Sequence, residues 1–171
     1  MQPTSSGSPI PSGPESFPAT GRNALAKVGL RAVARLLDLV VIGVPLVLVV
    51  AVALLATGYD PDTATEAETL PPWLVATWFG AVFSYETVAV ALTGRTLGKL
   101  AVGIRVARLD DGGRPLWWQA GIRVALPAVV ATIPNPLTQL VYVGIYLTSQ
   151  FDAMGRGIHD KAAGTIVVTT R

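Results

Sequence analysis

The chain alternates long apolar runs with short polar segments. Residues 36–57 are almost wholly aliphatic, and a second apolar run covers residues 73–92. At about 1.5 Å of rise per residue, a helix over either run crosses a hydrocarbon core of about 30 Å. We therefore predict two full transmembrane helices, over residues 31–57 and 73–93.

A third apolar stretch, over residues 119–151, is interrupted. Pro134 and Pro136 flank Asn135 in its middle, and Arg123 lies near its start. Proline breaks a helix because it lacks the backbone N–H and crowds the preceding turn. We predict two shorter helices, over residues 119–133 and 137–150, arranged as a hairpin or a re-entrant pair. A single tilted span with an external C-terminus is the alternative.

Between the second and third apolar segments, β-branched residues recur at every second position, as they do in a half-buried strand. Val102, Ile104 and Val106 alternate with other residues, and residues 110–113 supply turn-forming Asp and Gly. This pattern predicts a β-hairpin with strands over residues 101–109 and 114–118. The β-branched residues 164–170 would complete it, because an isolated hairpin is marginally stable in water. The fold class is thus a mainly α integral membrane protein with a small cytoplasmic β-hairpin.

Polar segments set the expected topology. Residues 1–21 are rich in Pro, Ser and Gly and predict a disordered tail without signal-peptide features, ahead of a membrane domain over residues 22–171. Residues 58–72 contain Asp and Glu but neither Lys nor Arg, whereas basic residues lie before the first helix and after the second. The positive-inside rule then predicts a multi-pass protein of the cell membrane with a cytoplasmic N-terminus and an external acidic loop. Arg156 and Lys161 favour a cytoplasmic C-terminus as well.

Composition agrees with a membrane protein and excludes several kinds of site. Of the 171 residues, 51% are hydrophobic and 14% are charged. The chain has no cysteine and one histidine, which excludes disulfides, thiolate sites and multi-histidine metal sites. The segment from Gly94 to Lys99 lacks the spacing of a phosphate loop, and a net charge of +2 does not favour nucleic acid. We expect no cofactor, no metal and no enzymatic activity.

Ionisable residues in the apolar runs are the candidate functional groups, because they are costly at membrane depth. Arg31, Arg35 and Asp38 are spaced to share one helix face. Asp38 either pairs with Arg35 or faces the bundle interior as part of a polar site. Glu86 lies near the middle of the second span. It is either a proton or cation carboxylate or a neutral acid packed against a tyrosine, Tyr142 or Tyr146.

Near the C-terminus, His159 and Asp160 are adjacent and followed by Lys161. Adjacency alone does not make a catalytic pair, and we expect Asp160 to cap a helix or to bridge to Arg31 or Arg105. A pH-responsive role for His159 is the alternative. The residues expected to support the cytoplasmic edge are Arg35, Thr96, Gly98, Lys99, Arg105, Arg156 and His159.

These segments together resemble the RDD family of membrane proteins, named for one arginine and two aspartates. Arg31 and Asp38 match the family's arginine and the aspartate seven residues later, and Asp160 matches its second aspartate. The segments 96–99, 103–106 and 157–165 are similar to its other motifs, in the same order. The resemblance implies a largely uncharacterised function, with transport suggested and cation/proton exchange proposed for some members.

Two hypotheses follow. In the first, the chain transports a small ligand or exchanges a cation for a proton, with Asp38 and Glu86 as the ion site and a homo-oligomer enclosing the pathway. In the second, it is a non-catalytic membrane module whose hairpin and C-terminal tail bind a partner or lipid headgroups. The expected partners are the lipid bilayer, a second copy and a small cation or proton, and not nucleic acid.

Overall fold

The computed structural model describes residues 11, 13–56, 72–131 and 136–171. Most of the predicted tail and acidic loop, and the break at residues 132–135, lie outside the described residues. Six α-helices and two strands occur in this part of the chain. In order they are α1 (Val28–Ala56), α2 (Pro72–Thr93), α3 (Leu97–Ala101), β1 (Ile104–Arg108), α4 (Trp117–Ala131), α5 (Pro136–Leu147), α6 (Ile158–Ala162) and β2 (Thr165–Thr169).

Helix α1 is the long apolar helix that the first hydrophobic run predicts. It has 29 residues, which is about 43 Å of helix, and most of its aliphatic side chains from Leu36 onward are exposed. Among the described residues it is the one helix that is long and apolar enough to cross a membrane. Side chains this apolar are stable on a surface only when lipid or protein covers them.

The other long helices, α2, α4 and α5, form a bundle near the N-terminal end of α1, which we call the foot of α1. Helix α2 packs along α4, α4 packs against α5, and the short α3 lies across α1 near Ala34. The third apolar stretch therefore contains two contacting helices, α4 and α5. They end at Ala131 and begin at Pro136, respectively.

The two strands form a small antiparallel sheet, with Ile104 opposite Thr169 and Arg108 opposite Thr165. Leu25 forms a bridge with Val168 on the other edge of β2, so the segment before α1 extends the sheet. The sheet covers a core at the ends of α1, α2 and α4. That core comprises Ala26, Ala34, Val90, Ile104, Val106, Ala120 and Val167.

The predicted strand over residues 114–118 is wrong. Residues 114–116 are irregular, and Trp117 is already the first residue of α4. The available edge of β1 is occupied locally, since Val106 N–H donates to the Gly94 carbonyl at 2.7 Å and Arg108 N–H to the Gly113 carbonyl at 2.8 Å. Pro115 has no N–H with which to extend a ladder. The C-terminal strand therefore pairs with β1 directly.

Candidate functional site

Arg31, Arg35 and Asp38 lie on one face of α1, as their spacing predicts, but each binds a different element. Arg31 donates to three backbone carbonyl groups, one just before α1 and two far along the chain. Its Nε lies 3.2 Å from the Ala26 oxygen and its Nη2 lies 3.4 Å from the Val167 oxygen, while its Nη1 contacts the Gly155 oxygen. Arg31 thereby ties the start of α1 to the C-terminal part of the fold.

Asp160 is the most deeply placed acid of the signature, with 1% of its side chain exposed. Arg31 approaches one carboxylate oxygen at 3.5 Å, and Arg123 of α4 pairs with the other. The carboxylate also accepts the Gly157 N–H at 3.3 Å, which caps the start of α6. Burial alone would raise the pKa of Asp160, but Arg123, His159 and Arg31 outweigh it and hold that pKa below its usual range.

Asp38 caps the short helix α3. Its Oδ1 accepts the Gly98 N–H at 2.8 Å and the Tyr85 hydroxyl at 3.1 Å, and its Oδ2 accepts the Thr96 hydroxyl at 2.6 Å. An anion is favoured there because the first N–H groups of a helix are unpaired and carry partial positive charge. Asp38 is therefore buried among polar groups of α2 and α3, and Arg35 pairs with Glu86 of α2 instead of with Asp38.

Glu86 lies between two cations. Its Oε2 is 2.5 Å from Arg35 Nη1, and its Oε1 is 3.1 Å from Lys99 Nζ. Arg35 also donates to the Tyr146 hydroxyl at 3.1 Å and stacks over the Tyr146 ring. Arg35, and not Glu86, therefore contacts the tyrosine. Glu86 is buried and forms an ion pair with each of the two cations.

Lys99 joins the two carboxylates into one network. Its ammonium lies 3.4 Å from the Thr96 hydroxyl that binds Asp38, and 3.1 Å from Glu86. Burial lowers the pKa of Lys99 to about 8, against the attraction of Glu86. A continuous polar chain therefore runs from Asp38 through Thr96, Lys99 and Glu86 to Arg35.

His159 packs beside this network without being charged at neutral pH. Burial lowers its pKa to about 4, although Asp160, 3.6 Å away, opposes the shift. Its ring lies 5.0 Å from the ring of Tyr146. The two remaining predicted edge residues lie outside the cluster, since Arg105 binds Gly112 and Asn23 and Arg156 lies near Asp152.

Sequence reasoning missed Arg123 and the pairing of Lys99 with Glu86. Arg123 interrupts the third apolar segment, and a cation at that depth is itself a signal of a buried partner. It contacts Asp160 and donates to the Thr165 hydroxyl at 3.3 Å. The described residues contain no cluster of His, Cys, Asp and Glu suited to a metal ion.

A long apolar helix with a buried ionic network at its N-terminal end is consistent with a membrane-associated protein. The model of the RDD family matches residues 25–164, most of the chain. The chain belongs to the RDD family, whose members are membrane-associated proteins of unknown function. Arg31, Asp38 and Asp160, the residues expected to form the family signature, all lie within the matched range. No curated protein and no solved structure matches this chain.

Proposed function

We propose that this protein is a small multi-pass membrane transporter that exchanges a monovalent cation for a proton at Lys99. The observation that carries the proposal is the position of the Lys99 ammonium between Glu86, at 3.1 Å, and the Thr96 hydroxyl, at 3.4 Å, with Asp38 behind Thr96. An alkali cation fits the same oxygens, because carboxylate and hydroxyl groups bind hard cations. Lys99 would lose its proton as the cation arrives, so the total charge stays constant.

The lowered pKa of Lys99, about 8, supports this role because proton release then requires little energy near neutral pH. Lys99, Glu86 and Asp38 all line a cavity of about 490 Å³ between α1, α2 and α5. The site is therefore reached through an open space and not only through packed protein. Asp38 and Glu86 take the roles of cation ligands, and Arg35 holds Glu86 in place.

We expect cation/proton exchange in proteoliposomes that enclose a pH-sensitive dye, with Na⁺, K⁺ or Li⁺ added against an imposed pH gradient. Glu86→Gln removes the charge that holds either Lys99 or the cation. If that interaction is worth roughly 3 kcal/mol, the exchange rate falls on the order of 100-fold. Lys99→Met should abolish the proton movement, whereas Asp110→Asn, at an exposed site, should leave the rate unchanged.

Elution of each variant as a single species on size exclusion separates loss of exchange from loss of fold. A wild-type protein that moves no protons with any of the three cations would overturn the transport proposal. Full activity in Glu86→Gln would instead overturn the site.

The proposed topology places both termini in the cytoplasm. It is supported by the sheet, because the segment before α1, the segment after α2 and the C-terminal strand meet there. The proposal includes a second crossing by α2 on the ground of length alone, because its 22 residues give about 33 Å. Helices α4 and α5, with 15 and 12 residues, are shorter than the membrane core and suit a re-entrant hairpin.

Cysteine labelling tests this topology cleanly because the chain has no cysteine of its own. In intact cells an impermeant maleimide should label Ala67→Cys, in the predicted external loop. It should label Arg22→Cys and Arg171→Cys, both at exposed positions, only after permeabilisation. Labelling of Arg171→Cys in intact cells would place the C-terminus outside.

A non-catalytic membrane module is the second candidate. It is favoured by the fact that Arg31, Asp38 and Asp160 each bind protein groups already. In that case the ionic network only fixes the fold, and the sheet or the cleft binds a partner or lipid. Absence of exchange, together with retained structure in Lys99→Met, would support it.

A further inference from the structure

The cavity between α1, α2 and α5 has a polar floor and apolar walls. Arg31, Arg35, Lys99 and Glu86 belong to the floor, and the walls include Leu39, Ile42, Trp78, Val82 and Val143. A cavity of about 490 Å³ accommodates a small-molecule ligand. The combination of a charged end with an apolar remainder fits an amphipathic molecule.

In the floor of the cavity, the basic side chains are more exposed than the acidic side chains that they bind. Arg35 has 28% of its side chain exposed, whereas its partner Glu86 has 4%, and Arg31 has 14% against 1% for Asp160. Four basic residues line the cavity, namely Arg31, Arg35, Lys99 and Arg123, against the three acids Asp38, Glu86 and Asp160. A ligand in the cavity therefore meets positive charge first, which favours an anionic group.

An apolar groove continues from this cavity along α1. It is a shallow, open depression lined by residues of α1 alone, shares Leu36, Leu39 and Gly43 with the cavity, and reaches Leu48. From Arg35 to Leu48 the helix rises roughly 20 Å, which is more than half of the hydrocarbon core of about 30 Å. The groove thus has the length of an acyl chain in one leaflet.

We infer that the cleft holds one anionic phospholipid of the surrounding bilayer, with its phosphate on Arg35 and one acyl chain along α1 past Gly43. Basic pockets between membrane helices bind anionic headgroups, which agrees with the partly exposed side chain of Arg35 at the floor of the cavity. The second acyl chain remains in the bilayer. The lipid shares this cavity with the proposed exchange site at Lys99, but the inference rests on the charge and shape of the cavity and does not require exchange to occur.

Native mass spectrometry of the detergent-purified protein tests the inference, with phosphatidylglycerol or phosphatidylcholine of identical chains added. The wild-type protein should bind one phosphatidylglycerol about tenfold more tightly than phosphatidylcholine. Arg35→Gln should remove that preference. Arg22→Gln, which removes an exposed arginine near the start of the same helix, should keep it.

Because Arg35 also holds Glu86, a second variant blocks the groove without changing any charge. A Cβ at Gly43 lies 3.9 Å from the Trp78 ring, an ordinary contact, and a leucine there extends into the groove. Gly43→Leu should weaken phosphatidylglycerol binding about tenfold. Gly29→Leu is the matched control, because Gly29 of α1 is exposed and a Cβ there meets no other atom.

Equal binding of the two lipids by the wild-type protein would overturn the inference. So would full displacement of phosphatidylglycerol by inorganic phosphate, since the site would then recognise an anion without an acyl chain. A dimer that carries no lipid and dissociates in Gly43→Leu would show that a second copy occupies the groove. These outcomes are measured on binding alone and leave the exchange proposal to its own experiment.

Discussion

Replacement of Asp160 by alanine is expected to destabilise the fold by about 3–5 kcal/mol, the typical cost of removing one partner of a buried ion pair. Arg31 and Arg123 both face this carboxylate, which is almost fully buried. Without it, two guanidinium groups remain close together with no carboxylate between them and little contact with solvent. The N–H of Gly157 at the start of α6 also loses its acceptor.

A thermal unfolding curve in detergent, followed by size exclusion, measures the effect of Asp160→Ala. Asp160→Asn keeps the shape and one acceptor, so it should retain more stability than alanine. Asp110→Ala, which breaks an exposed pair with Arg108, should cost less than about 1 kcal/mol. A melting temperature of Asp160→Ala equal to that of Asp110→Ala would contradict the central place given to Asp160.

The exchange of charges between Arg31 and Asp160 is a related test of their pairing. Asp160 serves Arg123 as well as Arg31, so an arginine at position 160 would face Arg123. For that reason Arg31→Asp combined with Asp160→Arg should not recover the lost stability. The two residues therefore do not behave as an isolated pair.

Replacement of Gly98 by alanine should strongly destabilise the fold. Helix α3 crosses α1 so closely that a Cβ at Gly98 would collide with the Ala34 carbonyl oxygen and lie 2.9 Å from the Asp38 carboxylate. The Ala34 group is backbone, so α3 itself would have to move. That movement would also break the 2.8 Å hydrogen bond from Gly98 N–H to Asp38.

Overpacking of this kind costs about 1–3 kcal/mol, and the lost hydrogen bond to a charged group adds about 1.5–3 kcal/mol. The melting temperature of Gly98→Ala in detergent reports the sum. Gly144→Ala in α5 is the matched control, because a Cβ there contacts no other group and alanine favours a helix. If Gly98→Ala and Gly144→Ala have the same melting temperature, the stability of the fold does not depend on the close crossing of α3 and α1.

Much of the fold could be predicted because it depends on local pattern. Aliphatic runs of membrane length give α1, and they place Arg31 in its first turn. The β-branched residues near the C-terminus give β2. The strand at residues 114–118 failed because the pattern does not show that Gly94 and Gly113 already occupy the edge of β1.

The pairing partners within the site could not be predicted from the sequence, for a physical reason. Helical spacing shows that Arg31, Arg35 and Asp38 share a face, but any of the nearby acids is a chemically acceptable partner for either arginine. The choice of Glu86 for Arg35 depends on how α2 packs, and the contact of Gly98 with Asp38 depends on the crossing of α3. Such pairings between distant residues are fixed by the tertiary fold.

The contacts of Arg31 also constrain how the protein is made. Its acceptors at Gly155 and Val167 are synthesised 124 and 136 residues after it. Helix α1 therefore enters the membrane with an arginine whose final partners do not yet exist, and the foot of the bundle closes only when the C-terminal strand arrives. Insertion of the first helix therefore leaves the fold incomplete, and the N-terminal end of α1 is fixed only after β2 has been synthesised.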